Sequence, residues 1–253
     1  MKTIIYQSHA LEKMVPWLRA CTNSVAAWTQ HIGAEYRFLG DELFDLLPSA
    51  LQEKYAAQPV ILTDLARLRL LLGALQEGYG RAVWLDADIL VFTPDQLLLP
   101  ETTYAVGREV WVQRQGGKLR AYRKVHNALL MTSKGDSFLP FYADAAERLL
   151  ERAAPPLVPQ FIGPKFLTAQ HNIAGLHVCE SVGMLSALAL RDVVTGGGSA
   201  LDLTVGGHET PPAAFNLSAS YEGKESDGIC NSEADYETAV EALLAKGCSL
   251  LSV

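Results

Sequence analysis

Apolar residues in the first third of the chain switch between strand-like and helix-like spacing. Short apolar runs predict strands over residues 3–6 and 36–39, and helical spacing predicts an amphipathic helix over residues 15–32. Asp41 is expected to cap a short helix, and Pro59 to open a long helix that ends before Gly78 and Gly80. This order of strand, helix, strand and helix predicts an α/β fold with a mixed, mostly parallel sheet flanked by helices.

Two acidic residues interrupt an apolar run that otherwise reads as one buried strand over residues 82–92. Asp86 and Asp88 have apolar segments on both sides. Residues two apart on an extended chain point to the same side, and two buried like charges are costly without a cation or strong donors. The pair therefore predicts a Mg²⁺ or Mn²⁺ site, and the alternative is an exposed turn at the end of a strand.

Further polar residues are candidates for the same crevice. Ligands of parallel sheets bind at the carboxyl ends of the strands, where Gln7 and Asp86 are expected. Asp64 and Arg67 are three residues apart and share a helix face. They either form a surface ion pair worth under about 1 kcal/mol or face the crevice, where Arg67 would bind phosphate or carboxylate oxygens of a ligand. Asn127 begins an apolar strand and either faces this crevice or bonds a neighbouring backbone group.

The second half of the chain is expected to begin with strands and to continue mainly with helices. Gly116 and Gly117 predict a hairpin turn, and Pro164 predicts the start of a helix. Glycine and proline over residues 195–213 indicate a flexible loop or a lid, in which His208 is either solvated or a metal ligand. The other predicted elements are strands over 103–106, 110–113, 120–123 and 125–131, helices over 138–152 and 234–246, and an extended segment with Asn216, Ser218 and Ser220 on one side.

Composition narrows the class of protein. The 253 residues carry a net charge of −7 and contain no Lys/Arg run, which argues against a nucleic-acid partner. The four cysteines form no Cys-x-x-Cys pair, so reduced thiols are expected. The apolar run at the N-terminus is short for a signal peptide, and no stretch approaches about eighteen apolar residues. We expect a cytoplasmic protein without a transmembrane segment, with peripheral membrane contact left open.

Four motifs stand in an order that resembles a known enzyme family. They are Thr63-Asp64-Leu65-Ala66-Arg67-Leu68, Val83-Trp84-Leu85-Asp86-Ala87-Asp88-Ile89, Asn127-Ala128-Leu129-Leu130-Met131 and Ile162-Gly163-Pro164-Lys165-Phe166-Leu167-Thr168. Together they resemble DXD-motif glycosyltransferases with a GT-A fold. The Gly-Pro-x-x-x-Thr element resembles family 32, and the segment around the two aspartates is also similar to family 8. The resemblance implies a single GT-A-like domain over 1–253, with a nucleotide-sugar-binding half over 1–100 and an acceptor and lid half over 101–253.

An enzyme of this kind would be a hexosyltransferase. The resemblance implies a transfer that retains configuration, from a nucleotide-sugar donor, most often a UDP-sugar, with Mn²⁺ or Mg²⁺ bridging the diphosphate. The acceptor would be a glycan, a lipid or a small molecule. Because the leaving phosphate oxygen can itself take the proton of the acceptor, no protein nucleophile is assigned.

The resemblance also implies roles for individual residues. Asp88 would ligate the metal directly, and Asp86 would bind donor hydroxyls and support the metal through water. Asp64 and Arg67 would hold the donor sugar and the diphosphate, and Gln7 would lie by the nucleobase. The remaining matches are Ala87 and Asn127 in the nucleotide-sugar site, and a C-terminal metal-binding segment matched loosely by Asn216, Ser218 and Tyr221.

Two other functions are open from the sequence. A phosphatase of the haloacid dehalogenase type also uses Asp-x-Asp after an apolar strand. There the pair normally follows the first strand and has Thr or Val two residues beyond the second aspartate, where this chain has Leu90. A non-catalytic nucleotide-sugar-binding protein would keep the fold without the transfer, although the presence of Asp86, Asp88, Arg67 and Asn127 argues for retained chemistry.

Overall fold

Strands from both halves of the chain form the central sheet. The structure is a computed structural model that describes residues 1–251. The six strands of this sheet lie in the order β2-β1-β3-β6-β5-β7, and β4, β9 and β8 form a second, smaller sheet. In chain order, the strands are β1 Thr3–Ser8, β2 Glu35–Leu39, β3 Arg81–Leu85, β4 Ile89–Val91, β5 Tyr104–Gln115, β6 Lys118–Ser133, β7 Val178–Cys179, β8 Val182–Met184, β9 Ala214–Asn216, β10 Glu225–Ser226 and β11 Ile229–Cys230.

The central sheet is mixed and mostly parallel, as the sequence predicts. Strand β1 pairs in parallel with β2 and β3, and β7 pairs in parallel with β5. Strand β6 runs antiparallel between β3 and β5. Because β1 and β3 are parallel neighbours, their carboxyl ends meet at one edge, and this arrangement brings Gln7 beside Asp86.

Helices cover the sheet, and proline begins three of those that the sequence predicts. Pro16, Pro59 and Pro164 each occupy the first turn, where a missing N–H costs nothing. Asp41 does not act as the predicted cap, because Gly40 precedes a 3-10 helix over Asp41–Leu46 without a side-chain cap bond. The α-helices are α1 Pro16–His31, α2 Ser49–Lys54, α3 Pro59–Gln76, α4 Phe138–Arg152, α5 Pro164–Ala174, α6 Ala187–Thr195, α7 Ser199–Gly206 and α8 Glu233–Lys246.

The predicted continuous strand over residues 82–92 is wrong. The chain turns at the acidic pair, where the N–H of Ile89 donates to the carbonyl of Asp86 at 3.1 Å. It then enters the smaller sheet as β4, antiparallel to β9. Both β3 and β4 are buried on both faces, so their apolar residues read as one run in the sequence. Asp86 and Asp88 therefore lie in a turn between two sheets.

The predicted flexible loop over residues 195–213 is also wrong in its first half, which contains α7. The Asp192 carboxylate on α6 accepts the backbone N–H groups of Ala200 and Leu201 at 2.7 and 3.0 Å, which satisfies the free donors of the first turn of α7. Leu201 and Thr204 are buried. Because glycines lie at both ends of this helix, the composition of the segment suggests a loop.

The described residues bear on the expected state of the cysteines and on the presence of membrane-spanning helices. Cys21, Cys179 and Cys230 are free thiols. The side chain of Cys248 lies outside the part of the chain that the structure describes. Among residues 1–251, no helix combines the length and the apolar character that a membrane span needs.

Candidate active site

Arg67 is the centre of a buried ionic network at the carboxyl end of β3. Its guanidinium lies 3.1 Å from Asp64 Oδ1 and 3.0 Å from Asp86 Oδ1, and it donates to the carbonyl of Asn127 at 2.8 Å. Only 6% of the Arg67 side chain and 4% of the Asp64 side chain are exposed. The alternative of a surface ion pair is therefore wrong. The pair lies on the buried side of α3, against the sheet.

Asn127 completes the network from β6. Its Nδ2 donates to Asp64 Oδ1 at 2.7 Å, so its side chain bonds a carboxylate rather than a neighbouring backbone group. Gly163, directly before α5, closes over this contact: a Cβ there would lie 2.5 Å from Asp64 Oδ2 and 2.9 Å from Asn127 Nδ2. The glycine of the Gly-Pro-x-x-x-Thr element is thus required for close packing on the ionic network.

The carboxyl group of Asp64 has a raised pKa. Burial raises the pKa of its carboxyl to about 6, against the lowering effects of the Arg67 charge and the Asn127 hydrogen bond. Removing either partner would leave a buried carboxylate with weaker compensation. The network therefore depends on each of its members.

Trp84 is a further member of the site, one that the sequence motifs do not indicate. Its indole N–H donates to Asp86 Oδ1 at 2.6 Å, and the Arg67 guanidinium lies 4.9 Å from the centre of its ring. A buried indole N–H usually finds an acceptor, so the carboxylate two residues after Trp84 could have indicated this hydrogen bond from the sequence. Asp86 is thus held through one oxygen, while among the described residues its Oδ2 accepts no hydrogen bond.

Gln7 and Ala87 lie beside Asp86. The Gln7 amide is fully buried, donates to the carbonyl of Asp86 at 3.0 Å and accepts from the Tyr36 hydroxyl at 2.9 Å. In this arrangement Gln7 fixes the backbone of the turn. Its role at a nucleobase stays a prediction, as does the role of Ala87, which is 7% exposed between the two aspartates.

Asp88 is held by the last residue of β9 and by the segment that follows this strand. Its Oδ1 accepts from Asn216 Nδ2 at 2.6 Å, and its Oδ2 accepts from the N–H of Ala219 at 2.9 Å. Burial, and then the charge of Asp86, raise the pKa of Asp88 to about 7. The carboxylate is therefore costly to keep ionised without a positive charge nearby.

Asn216 and Ser218 belong to the hydrogen-bonded segment that holds Asp88. Asn216 Oδ1 accepts the N–H of Ser218 at 2.8 Å, and the Ser218 hydroxyl donates to the carbonyl of Leu185 at 2.8 Å. Ser218 has a left-handed backbone with a φ of 56° and leads into a 3-10 helix over Ala219–Tyr221, so the predicted extended segment is wrong beyond β9. Their role as metal ligands stays a prediction.

The donor set at the turn fits a divalent cation. When all three carboxyl groups are ionised, Asp64, Asp86 and Asp88 bring three negative charges and Arg67 one positive charge, a formal net charge of −2. Hard carboxylate oxygens suit Mg²⁺ or Mn²⁺, and Asp86 Oδ2 is available for a bond. Among the described residues, no group of three or more His, Cys, Asp or Glu side chains is arranged around a single metal position. A cation here would therefore complete its ligand shell with water or substrate oxygens.

His208 is buried rather than solvated. Its side chain is fully enclosed, and Nδ1 lies 2.8 Å from the carbonyl of Glu180. Gly183 packs directly on the ring. Burial lowers the pKa of His208, so the ring is neutral at pH 7. Among the described residues, the ring bonds Glu180 and none of the aspartates of the turn.

His126, next to Asn127, gives a prediction about acid stability. Burial lowers its pKa to about 3, whereas the unfolded chain binds this proton near pH 6.5. The contribution of His126 to the free energy of unfolding is therefore lost as the pH falls below about 6.5. In urea unfolding, we expect the advantage of the wild type over His126→Asn to shrink by about 1.4 kcal/mol per pH unit between pH 6 and pH 4. A constant difference between the two proteins would contradict the burial of an uncharged ring.

The comparisons with known proteins give distant structural neighbours. No family model matches the chain, and no curated protein matches it. Among solved structures, the galactosyltransferase LgtC with donor and acceptor sugar analogues is 13% identical, with a TM-score of 0.46 over 95% of this chain and 96% of that one. Mouse xyloside xylosyltransferase 1 is 11% identical, with a TM-score of 0.42 over 87% of this chain and 98% of that one. A glycosyltransferase involved in the glycosylation of the major capsid of PBCV-1 is 12% identical, with a TM-score of 0.38 over 60% of this chain and 69% of that one.

Proposed function

We propose that this protein transfers a sugar from a nucleotide-sugar donor, with a UDP-sugar as the first candidate, to a glycan, lipid or small-molecule acceptor, with Mn²⁺ or Mg²⁺ at the turn. The observation that carries the proposal is the cluster of Asp64, Asp86 and Asp88 at the end of β3, with the Arg67 guanidinium between the first two, where one oxygen of Asp86 is held and the other is available. Asp86 and Asp88 would hold the cation. When bound, the cation would neutralise charge on the departing diphosphate.

The other residues of the network position Asp86. Arg67 and Trp84 both bond its Oδ1, and Gln7 bonds its carbonyl, so its free oxygen has a fixed place. Asp64 and Asn127 hold Arg67 and are themselves buried beneath Gly163. A preorganised site of this kind needs little rearrangement when charge develops on the substrate. The proposal also includes direct contacts of Asp64 and Asn127 with the donor sugar.

Transfer, simple binding and phosphatase activity predict different products. A transferase releases a nucleoside diphosphate from the donor in the presence of Mn²⁺, and its background reaction with water shows this even without the acceptor. A binding protein takes up the donor and releases nothing. A phosphatase releases inorganic phosphate from sugar phosphates and leaves nucleotide sugars intact.

Asp86→Asn tests the proposal sharply. Asparagine keeps an oxygen for the bonds from Arg67 and Trp84 and replaces only the available oxygen by an amide, so we expect normal folding. We predict that Mn²⁺-dependent release of nucleoside diphosphate, measured over a panel of UDP- and GDP-sugars, falls by at least about a hundredfold. Asp202→Asn, a matched change at an exposed position on α7, is the control and should keep full activity. Equal activity of Asp86→Asn and the wild type would refute the role of this oxygen.

A further inference from the structure

The hairpin formed by β5 and β6 carries a positive charge that the proposed reaction does not use. Between Val110 and Gly135 the chain has no acidic residue, although its net charge is −7. The basic residues of this segment are Arg114, Lys118, Arg120, Arg123, Lys124 and Lys134. Arg123 is already paired with Glu180 and Glu209, so Arg120 and Lys124 are the charges that this part of the hairpin can offer to an anionic ligand.

One face of this hairpin combines basic and aromatic side chains. Directly opposite residues in an antiparallel pair share a face, and the register pairs Trp111 with Tyr122 and Gln113 with Arg120. Lys124 lies on the same face, opposite Glu109. The other face carries apolar residues such as Val110 and Val112, which are fully buried. Trp111, Tyr122 and Arg120 therefore lie on the side of the hairpin that points away from these two buried valines.

The side chains of this face contact one another. The rings of Trp111 and Tyr221 have centroids 5.2 Å apart at an angle of 41°, and Lys124 Nζ lies 5.9 Å from the centre of the Tyr122 ring. All three rings are half-buried, and Arg120 is exposed. Glu109 is 3.8 Å from Lys124 Nζ, a long ion pair that leaves the ammonium group partly free for another anion.

The segment that bonds Asp88 leads to this face of the hairpin. Tyr221 stands two residues after Ala219, whose N–H donates to Asp88 Oδ2. The ring of Tyr221 then packs on Trp111 of β5. A molecule that reacts at Asp88 could therefore extend along the rings of Tyr221, Trp111 and Tyr122. We call these rings, together with Arg120 and Lys124, the hairpin face.

We propose that the hairpin face binds the acceptor and that this acceptor is an acidic saccharide. Aromatic rings offer apolar surface to the C–H faces of sugar rings, and Arg120 and Lys124 can pair with carboxylate or sulfate groups. Neither neutral sugars nor apolar lipids would use the two charges. This inference rests on the proposed transfer reaction, since it assigns the second substrate of the same site.

The experiment measures saccharide binding separately from donor binding. Hexasaccharides of hyaluronan, heparin and polygalacturonate are titrated calorimetrically into the full chain, with maltohexaose as the neutral probe and a single-stranded hexanucleotide as a different anion. We expect at least one acidic hexasaccharide to bind more tightly than maltohexaose and the oligonucleotide. Trp111→Ala and Arg120→Gln should each weaken it about tenfold. Arg114→Gln, the same charge change on the opposite face of the hairpin, is the matched control and should leave binding unchanged.

The outcomes separate the two proposals. If no acidic hexasaccharide binds more tightly than maltohexaose, or if Arg114→Gln weakens binding as much as Arg120→Gln, the inference is overturned. Tighter binding of the oligonucleotide would overturn it as well. Donor binding is measured in the same variants and should not change. If an acidic saccharide binds at the hairpin face but no nucleotide sugar binds anywhere, the transfer reaction fails and the saccharide site stands.

Discussion

Replacement of Arg67 by methionine is expected to cause the largest loss of stability of any single change at the site. Methionine fills similar space but leaves Asp64 and Asp86 without their shared positive charge. Breaking a buried ion pair from one side costs about 3–5 kcal/mol, because the remaining charges stay uncompensated. We expect a loss of this size in the free energy of unfolding, measured in urea at pH 7.5, together with loss of donor turnover.

Arg69→Met is the matched control on the same helix. Arg69 forms an ion pair with Glu147, but 39% of its side chain is exposed, against 6% for Arg67. An exposed pair contributes about 0–1 kcal/mol, so this variant should stay within that range and keep its activity. Similar losses in the two variants would show that the network around Arg67 is not specifically stabilising.

Gly163→Ala is expected to damage the site through packing alone. The added methyl group would lie 2.5 Å from Asp64 Oδ2 and 2.9 Å from Asn127 Nδ2, closer than a Cβ can approach. The two side chains would have to separate, which releases Arg67 and then Asp86. We expect a loss of about 1–3 kcal/mol in the free energy of unfolding and a drop of at least about tenfold in transfer rate.

Gly73→Ala provides the control for this change. Gly73 lies inside α3, and a Cβ there would meet nothing within 4 Å. Because alanine is the better helix former, Gly73→Ala should raise the free energy of unfolding by about 0.5–1 kcal/mol without affecting activity. A neutral effect of Gly163→Ala in the same assays would mean that the contact with Asp64 and Asn127 tolerates an added methyl group.

The helices around the site could be predicted from local signals. Pro16, Pro59 and Pro164 mark the starts of α1, α3 and α5, and apolar spacing marks their buried sides. The break between β3 and β4 could not be predicted, because a run buried on both faces looks the same as one strand or two. The chain breaks between β3 and β4 because β4 pairs with β9, a strand more than a hundred residues later in the sequence.

The members of the site were predictable as candidates, but their partners were not. The spacing of Asp64 and Arg67 gives a shared helix face, and only the fold shows that this face is buried. The bonds from Asn127 to Asp64 and from Asn216 to Asp88 join residues distant in the chain, which no local pattern reports. Gln7 was a candidate from its place at the end of the first strand, but its bond to the carbonyl of Asp86 was not predictable. Trp84 bonds the Asp86 carboxylate and would pass for an ordinary core position in the sequence.

The central claim is that the turn at Asp86 and Asp88 binds a nucleotide sugar through a divalent cation. Its most direct test is calorimetric titration of UDP- and GDP-sugars into the wild type and Asp88→Asn, with and without Mn²⁺. We predict that at least one donor binds the wild type only with Mn²⁺ and that Asp88→Asn, folded by circular dichroism, binds none. Donor binding that is equally tight without Mn²⁺ or in Asp88→Asn would contradict the claim, and so would the absence of binding by every donor.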